Sequence, residues 1–251
     1  MTTLDEKTLK GIPAAVGLAM GKIVRVEEQE LNIPRYQIDN PEAEIKRMQD
    51  AVEESKKEIA DLKDNVSARA KSNEAEIFEA HRMFLEDPAL LDMAKDEIKN
   101  GVNVEQAWHK AIEHYAQMME SIPDETMSAR ALDIRDVGKR VLGHLLDVKI
   151  GGTILTEPSV ITAVDLAPSD TVSLDKDLVL AFCTAEGGPT SHTAVLAKSF
   201  GLPAVVGMGE DILDVPEGSL VIVDGKAGEV IVSPDEETQE AFKKRKATFE
   251  A

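Results

Sequence analysis

The 251 residues carry 28 Lys and Arg against 47 Asp and Glu, a formal net charge of −19 with histidines neutral. A grip on nucleic acid or on an anionic membrane surface draws on basic side chains that neutralise phosphates, so this balance argues against both and points to a basic partner. With 43% hydrophobic, 30% charged and 4% aromatic residues, the chain is globular and fills its core with Ala, Val, Ile, Leu and Met, which favours packed helices and α/β layers over an aromatic-rich sandwich.

Residues 1–10 are polar and mixed in charge, and no apolar run approaches the roughly 20 residues needed to cross a bilayer. The single Cys183 rules out a disulfide within the chain; in the run Leu178–Cys183 it reads as a small buried hydrophobe with no catalytic role. A soluble protein of the reducing cytoplasm is expected.

Residues 10–28 interleave Gly with apolar residues and close on Lys22-Ile23-Val24-Arg25-Val26, a strand-and-turn texture. From Asn40 to Val148 glycine nearly vanishes, and apolar residues recur at helical spacing. Asn40-Pro41 starts a helix whose face carries Ile45, Met48, Val52, Ile59, Leu62 and Val66. A second helix runs through Ile77, Phe78, Met83 and Leu85 to a break at Asp87-Pro88, and a third ends at Asn100-Gly101. Val104, Trp108, Ala111, Ile112, Tyr115 and Met119 mark a fourth, and Met127, Ala131, Ile134, Val137, Val141 and Leu145 a fifth. Short helices with frequent breaks suit an antiparallel bundle.

After Lys149 the texture returns to Gly, Pro and β-branched residues. Short strands are expected at 159–164, 178–182, 204–206, 220–223 and 230–233, with a hairpin turn at Asp224-Gly225 and a helix over 190–200. Residues 1–35 and 149–233 are therefore expected to form one discontinuous α/β domain, with the helical residues 36–148 inserted into it. Residues 234–251, with the cluster Lys243-Lys244-Arg245-Lys246, read as a charged helix too poor in apolar residues to dock strongly, either a solvated tail or a linker.

The most suggestive chemistry lies in Glu186-Gly187-Gly188-Pro189-Thr190-Ser191-His192, followed by Thr193 to Lys198. Gly187 and Gly188 permit a tight turn or a close backbone approach, and Thr190 is positioned to cap a helix starting at Ser191. His192 then falls in the first turn, where the positive helix end favours an anion. Neutral imidazole is both a nucleophile and a leaving group, which suits it to carry a phosphoryl group. On spacing alone, His192 reads equally as a surface or capping residue. No ligand-spaced Cys, His or carboxylate accompanies it, and Ser191 lacks the glycine-flanked elbow of a hydrolase nucleophile.

The run from Gly187 to Lys198 resembles the phosphohistidine signature of phosphoenolpyruvate-utilising enzymes. Ile77-Phe78-Glu79-Ala80-His81-Arg82-Met83-Phe84-Leu85-Glu86-Asp87 and Asp133-Ile134-Arg135-Asp136-Val137-Gly138-Lys139-Arg140 resemble the inserted helical domain of enzyme I of the sugar phosphotransferase system, and Ser199 to Gly207 extends the likeness. The resemblance implies a swivelling phosphohistidine α/β domain with an inserted helical bundle. His192 would take a phosphoryl group on Nε2 and exchange it with the small carrier HPr, with Gly187, Gly188, Thr190, Ser191 and Lys198 supporting the phosphate.

It also implies an HPr-docking surface of His81, Met83, Phe84, Leu85, Glu86, Asp87, Leu90 and Arg130. Adjacent Phe84 and Leu85 cannot both face outward, so part of this set belongs to the bundle core. Phosphoenolpyruvate and Mg2+ would bind a C-terminal barrel that these residues do not encode, leaving this chain without a cofactor of its own, monomeric, and joined to that barrel through 234–251. The runner-up is the phosphohistidine domain of a pyruvate phosphate dikinase or phosphoenolpyruvate synthase, which shares the site motif but lacks the helical insert. Two positions depart from the enzyme I pattern. Lys198 replaces an Arg, keeping charge without the bidentate fork, and Ala167 replaces a Thr that orients the histidine, for which Ser169 or a backbone carbonyl is expected to substitute.

Overall fold

The structure, a computed structural model, describes residues 6–27, 29–67 and 73–249; residues 1–5, 28, 68–72 and 250–251 lie outside the description. The chain divides into two compact units after residue 28 and again after residue 151.

In the first unit, β-branched and small residues build β1 (Lys7–Lys10), β2 (Ile12–Ala15), β3 (Leu18–Arg25), β4 (Ser159–Ala163), β5 (Val179–Thr184), β6 (Ala204–Val206), β7 (Leu220–Asp224) and β8 (Glu229–Val232). They join in one sheet of order β1-β8-β7-β3-β4-β5-β6-β2. The run β3 to β6 is parallel and the remaining pairings are antiparallel. β1 and β2 end this order on opposite sides, yet only Gly11 separates them in the chain, so the sheet curls until its edges meet. Gly11 makes that closure possible: its N–H reaches the Gly228 carbonyl at 2.9 Å, and a Cβ there would lie 2.6–2.8 Å from Met208, Val205 and the Val206 carbonyl.

Alternation along the strands sorts two apolar faces. Val160, Ala181 and Cys183 point into the curl with Ile23, Val221 and Val223, whereas Ile161, Phe182 and Val206 cluster with Leu166, just ahead of α6 (Pro168–Ser173), and with Ala194 and Ala197 of α7 (His192–Phe200). Cys183 is wholly buried, and burial pushes its thiol up to about 12, where no thiolate nucleophile forms near neutrality.

The charged C-terminal segment forms α8 (Glu236–Phe249), which clusters with this unit. Phe242 is buried beside Met20 of β3, and Arg245 pairs with Asp224.

The second unit holds α1 (Pro41–Ser67), α2 (Asn73–Leu85), α3 (Pro88–Lys99), α4 (Val104–Glu120) and α5 (Glu125–Leu146). Asn40 accepts from the Ala43 amide at 3.1 Å, capping α1. Met48, Val52 and Ile59 are buried on the expected face while Ile45 and Leu62 are half-buried; the side chain of Val66 lies outside the described ones. Phe78, His81 and Leu85 form the buried stripe of α2. Met83 and Met127, expected on apolar stripes, stand exposed because they fall off the buried faces of α2 and α5. Trp108 of α4 donates to the Gly138 carbonyl of α5 at 3.0 Å; a Cβ on Gly138 would lie 2.6 Å from Ile112, so this glycine sets how closely the two helices pack.

Residues 29–35, expected with the α/β domain, fall in the helical unit because the Ile33 and Pro34 carbonyls accept from Gln106 and Asn103 of the α4 start. Among the described residues, no helix is long and apolar enough to cross a membrane.

Candidate functional site

The site grows from the end of β5. Backbone bonds from Gly207, Met208 and Gly209 to the carbonyls of Glu186, Thr184 and Ala185 strap the outgoing segment to the one after β6. Gly187 then turns with φ +90°, and a Cβ there would stand 3.3 Å from Ser191 Cβ and Oγ. Gly188 faces open space, and its carbonyl accepts from the Ser191 amide at 2.9 Å.

Ser191 takes extended backbone angles, and its Oγ accepts from the Ala194 amide at 3.3 Å. It is therefore the N-cap, and α7 begins at His192. The expectation that Thr190 caps and Ser191 opens the helix is off by one residue, since Ser191 is the hydroxyl in register with the third helical amide; Thr190 is exposed. Glycine at 201, in the left-handed region, closes the helix.

His192 is thus the first residue of a capped helix whose positive end favours negative charge on the ring. Its Nε2 lies 3.2 Å from Thr171 Oγ1, and that hydroxyl lies 2.8 Å from the Pro168 carbonyl. Sequence reasoning missed Thr171: it sought a replacement for the absent hydroxyl at Ala167 in Ser169 or a carbonyl. The available signal was Pro168, which opens a short helix and carries Thr171 to the face one turn on.

Lys198, in the last turn of α7, donates to the Pro189 carbonyl at 2.9 Å and ties the loop to the helix it precedes. Thr193 donates to Asp165 Oδ1 at 3.3 Å, while the same oxygen accepts from the Leu166 amide at 2.8 Å. Gly187, Gly188, Ser191, His192 and Lys198 therefore lie along one loop-helix junction. No group of three or more His, Cys, Asp or Glu side chains among the described residues is placed to hold a metal ion.

The residues expected to dock a partner separate by burial. Leu85 and Leu90 are fully buried core residues, and His81, 4% exposed, lies edge-on to Phe78 with Nε2 3.9 Å from Asp133 Oδ1. These three leave the expected surface, because helical periodicity turns them toward the bundle. Met83 is 62% exposed, Arg130 is exposed, and Phe84 is half-buried edge-on to Tyr115 of α4. Glu86 pairs with Lys56 at 3.0 Å and Arg82 at 3.1 Å; Asp87 caps α3 through the Ala89 amide at 2.8 Å. Sequence reasoning did not single out Met118 and Ile122, which with Met127 stand exposed on either side of the α4–α5 connection.

The N-terminal region of phosphoenolpyruvate-utilising enzymes matches residues 10–130, and their mobile domain matches residues 155–228. Curated relatives include the phosphoenolpyruvate-protein phosphotransferases of Priestia megaterium, 43% identical over 245 residues, and Bacillus subtilis strain 168, 41% identical over 239 residues. These alignments cover 97% and 94% of this chain but 43% and 42% of those proteins, so the chain spans less than half the length of these relatives. Among solved structures, the solution NMR structure of an enzyme I protein, nEIt, is 42% identical with a TM-score of 0.76, covering 97% of this chain and 100% of that one. The N-terminal domain of a nitrogen enzyme 1 is 25% identical with a TM-score of 0.56 and covers 94% and 98%. With both family regions matched along the chain and a solved relative 42% identical that is covered over its whole length, the chain belongs to the enzyme I family of phosphoenolpyruvate-utilising proteins.

Proposed function

We propose that this chain is a cytoplasmic phosphoryl relay in which His192 accepts a phosphoryl group from, and returns it to, a histidine of HPr. The observation that carries the reading is His192 itself: it is the first residue of a helix capped by Ser191, with Nε2 engaged by Thr171, within the family motif. Neutral imidazole attacks phosphorus, the donor's P–N bond breaks, and the electron pair leaves on the donor ring; in reverse the same chemistry discharges His192. The positive end of α7 stabilises the phosphoryl charge in both directions.

Docking is assigned to the helical unit. Met83 with Phe84 and Tyr115, Met118 further along α4 and Ile122 just past its end offer apolar surface, and Glu86 and Arg130 are exposed charges of the same unit. Exposed apolar side chains grouped in this way mark interaction surfaces. Acceptance from phosphoenolpyruvate, with its Mg2+, is assigned to the part of the relatives that extends past the match, so no step here runs through a metal.

The reading is tested by incubating the chain with 32P-labelled phospho-HPr. Acid-labile label on the wild type and none on His192→Ala is expected; equal labelling of both overturns it. The dikinase alternative is disfavoured by relatives of the enzyme I type that align across the helical unit.

A further inference from the structure

Among the described residues three methionines stand exposed: Met83 of α2 at 62%, and Met118 of α4 and Met127 of α5 at 43% each. All three belong to the helical unit, whereas Met48 and Met208 are buried and Met20, Met93 and Met119 half-buried. Contacts and spacing place them on the surface assigned to docking. Phe84, next to Met83, lies edge-on to Tyr115 with ring centroids 5.9 Å apart. Met118 is three residues past Tyr115 on α4, the spacing that sets two side chains on one helix face. Met127 sits in the first turn of α5, across the short connection from Met118.

Oxidation turns the flexible apolar methionine side chain into a polar sulfoxide, and access decides which sulfurs react. A peroxide in solution meets these three sulfurs and is kept from Met48 and Met208. Cys183 does not compete, because burial pushes its thiol up to about 12 and leaves no thiolate near neutrality.

We propose that Met83, Met118 and Met127 form a reversible oxidation switch, in which a hydroperoxide converts their thioethers to sulfoxides and weakens HPr binding while His192 stays unchanged. The inference rests on the helical unit as the docking surface. At each residue a sulfur lone pair attacks one peroxide oxygen, and the S–O bond forms as the O–O bond breaks. The departing oxygen takes a proton and leaves as water, so sulfur loses the two electrons that the peroxide gains. Covering a sulfoxide with a partner's apolar side chains strips its water and returns no hydrogen bond. A thiol-dependent methionine sulfoxide reductase for each sulfur epimer resets the surface.

The test treats the chain alone with dilute hydrogen peroxide, destroys the excess with catalase, and titrates HPr into the product by calorimetry. Peptide mass spectrometry locates each added oxygen. Oxygen should appear on Met83, Met118 and Met127 before Met48 or Met208, and affinity for HPr should fall about tenfold and recover after both reductases have acted. The triple variant Met83→Leu/Met118→Leu/Met127→Leu, whatever its starting affinity, should bind HPr equally before and after peroxide. Unchanged affinity after complete oxidation of the three overturns the proposal, and so does an equal loss in the triple variant. A loss that accompanies unfolding of the bundle, read through the buried Trp108, overturns it as well. So does an untreated chain that does not bind HPr. An untreated chain that binds HPr but takes no 32P label would instead sink the relay and leave the switch standing.

Discussion

Replacing Gly187 by Ala should destabilise the α/β unit, whereas the same change at Gly188 should not. Gly187 has φ +90°, in the region that costs an L-residue about 1–2 kcal/mol. Its new Cβ would also stand 3.3 Å from both Cβ and Oγ of Ser191, the residue that caps α7, and loss of such a cap costs about 1 kcal/mol. Together these give about 2–3 kcal/mol, or a melting temperature lower by roughly 10 °C for a unit of this size. Gly188 is outside the left-handed region and a Cβ there meets nothing within 4 Å, so Ala should be neutral or stabilise by up to about 1 kcal/mol through the unfolded chain. The transfer assay separates the two further. Gly187→Ala should slow uptake from phospho-HPr because the cap that sets His192 shifts. Gly188→Ala should slow it about tenfold with stability intact, because the methyl occupies the open side of the loop. The single Trp108 lies in the helical unit, so melting must be followed through amide NMR signals of the α/β unit. An unchanged melt in Gly187→Ala refutes the turn argument, and wild-type uptake in Gly188→Ala removes that glycine from the phosphate site.

Leu85→Ala, at a fully buried position of α2, should cost about 2–5 kcal/mol in Trp108-monitored unfolding, while Met83→Ala should leave stability within about 0.5 kcal/mol and weaken HPr binding about fivefold by calorimetry. The opposite pattern would move docking off this face. Burial pushes the Glu105 carboxyl up, but bonds from Asn103, its own backbone, Arg47 and Tyr36 outweigh burial and hold it below its ordinary 4.5. A depressed carboxylate stabilises fully above that value and loses its contribution as pH falls through the folded pKa. The melting temperature of the helical unit should therefore drop below about pH 4.5, and Glu105→Gln should flatten that limb; parallel profiles would count against it. Phosphoenolpyruvate and Mg2+ without HPr should leave His192 of this polypeptide unlabelled in the same 32P assay, and label would place that donor's site within these residues.

Signals of short range were legible in the sequence. Asn40-Pro41, Asp87-Pro88 and Asn100-Gly101 punctuate the helices because a cap acts on amides or carbonyls within one turn. Burial stripes were legible where three or more residues agreed, and failed at the isolated end residues Met83 and Met127. What depends on distant partners was not legible. The sheet closes through Gly11, whose neighbours are near positions 205–208 and 228, and a glycine between two apolar runs looks like an ordinary turn. Thr171 reaches His192 from 21 positions away, and they meet because α6 and α7 follow the adjacent parallel strands β4 and β5. His81 drew attention as a histidine inside a family motif, but the periodicity that buries Phase-matched Phe78 and Leu85 buries it as well.

The chain's acidity bears on how a basic partner arrives. Glu86, three residues past the exposed Met83, is not a bare charge: Lys56 and then Arg82 hold its carboxyl below the ordinary value, the Glu86 and Arg82 side chains standing at the surface and Lys56 half-buried. Such exposed pairs are screened by water and salt and are readily exchanged for a partner's cation. Trading one cation for another adds little to the final affinity, yet the net charge of −19 acts over the whole approach. Glu86→Gln should therefore lower the association rate with HPr about two- to threefold at low ionic strength, leave the dissociation rate nearly unchanged, and lose its effect as salt shortens the Debye length below about 8 Å. Stopped-flow association across a salt series makes the distinction. A change confined to dissociation, or one that persists unscreened at high salt, would mean that Glu86 forms a dehydrated contact in the complex, and the steering argument would fail.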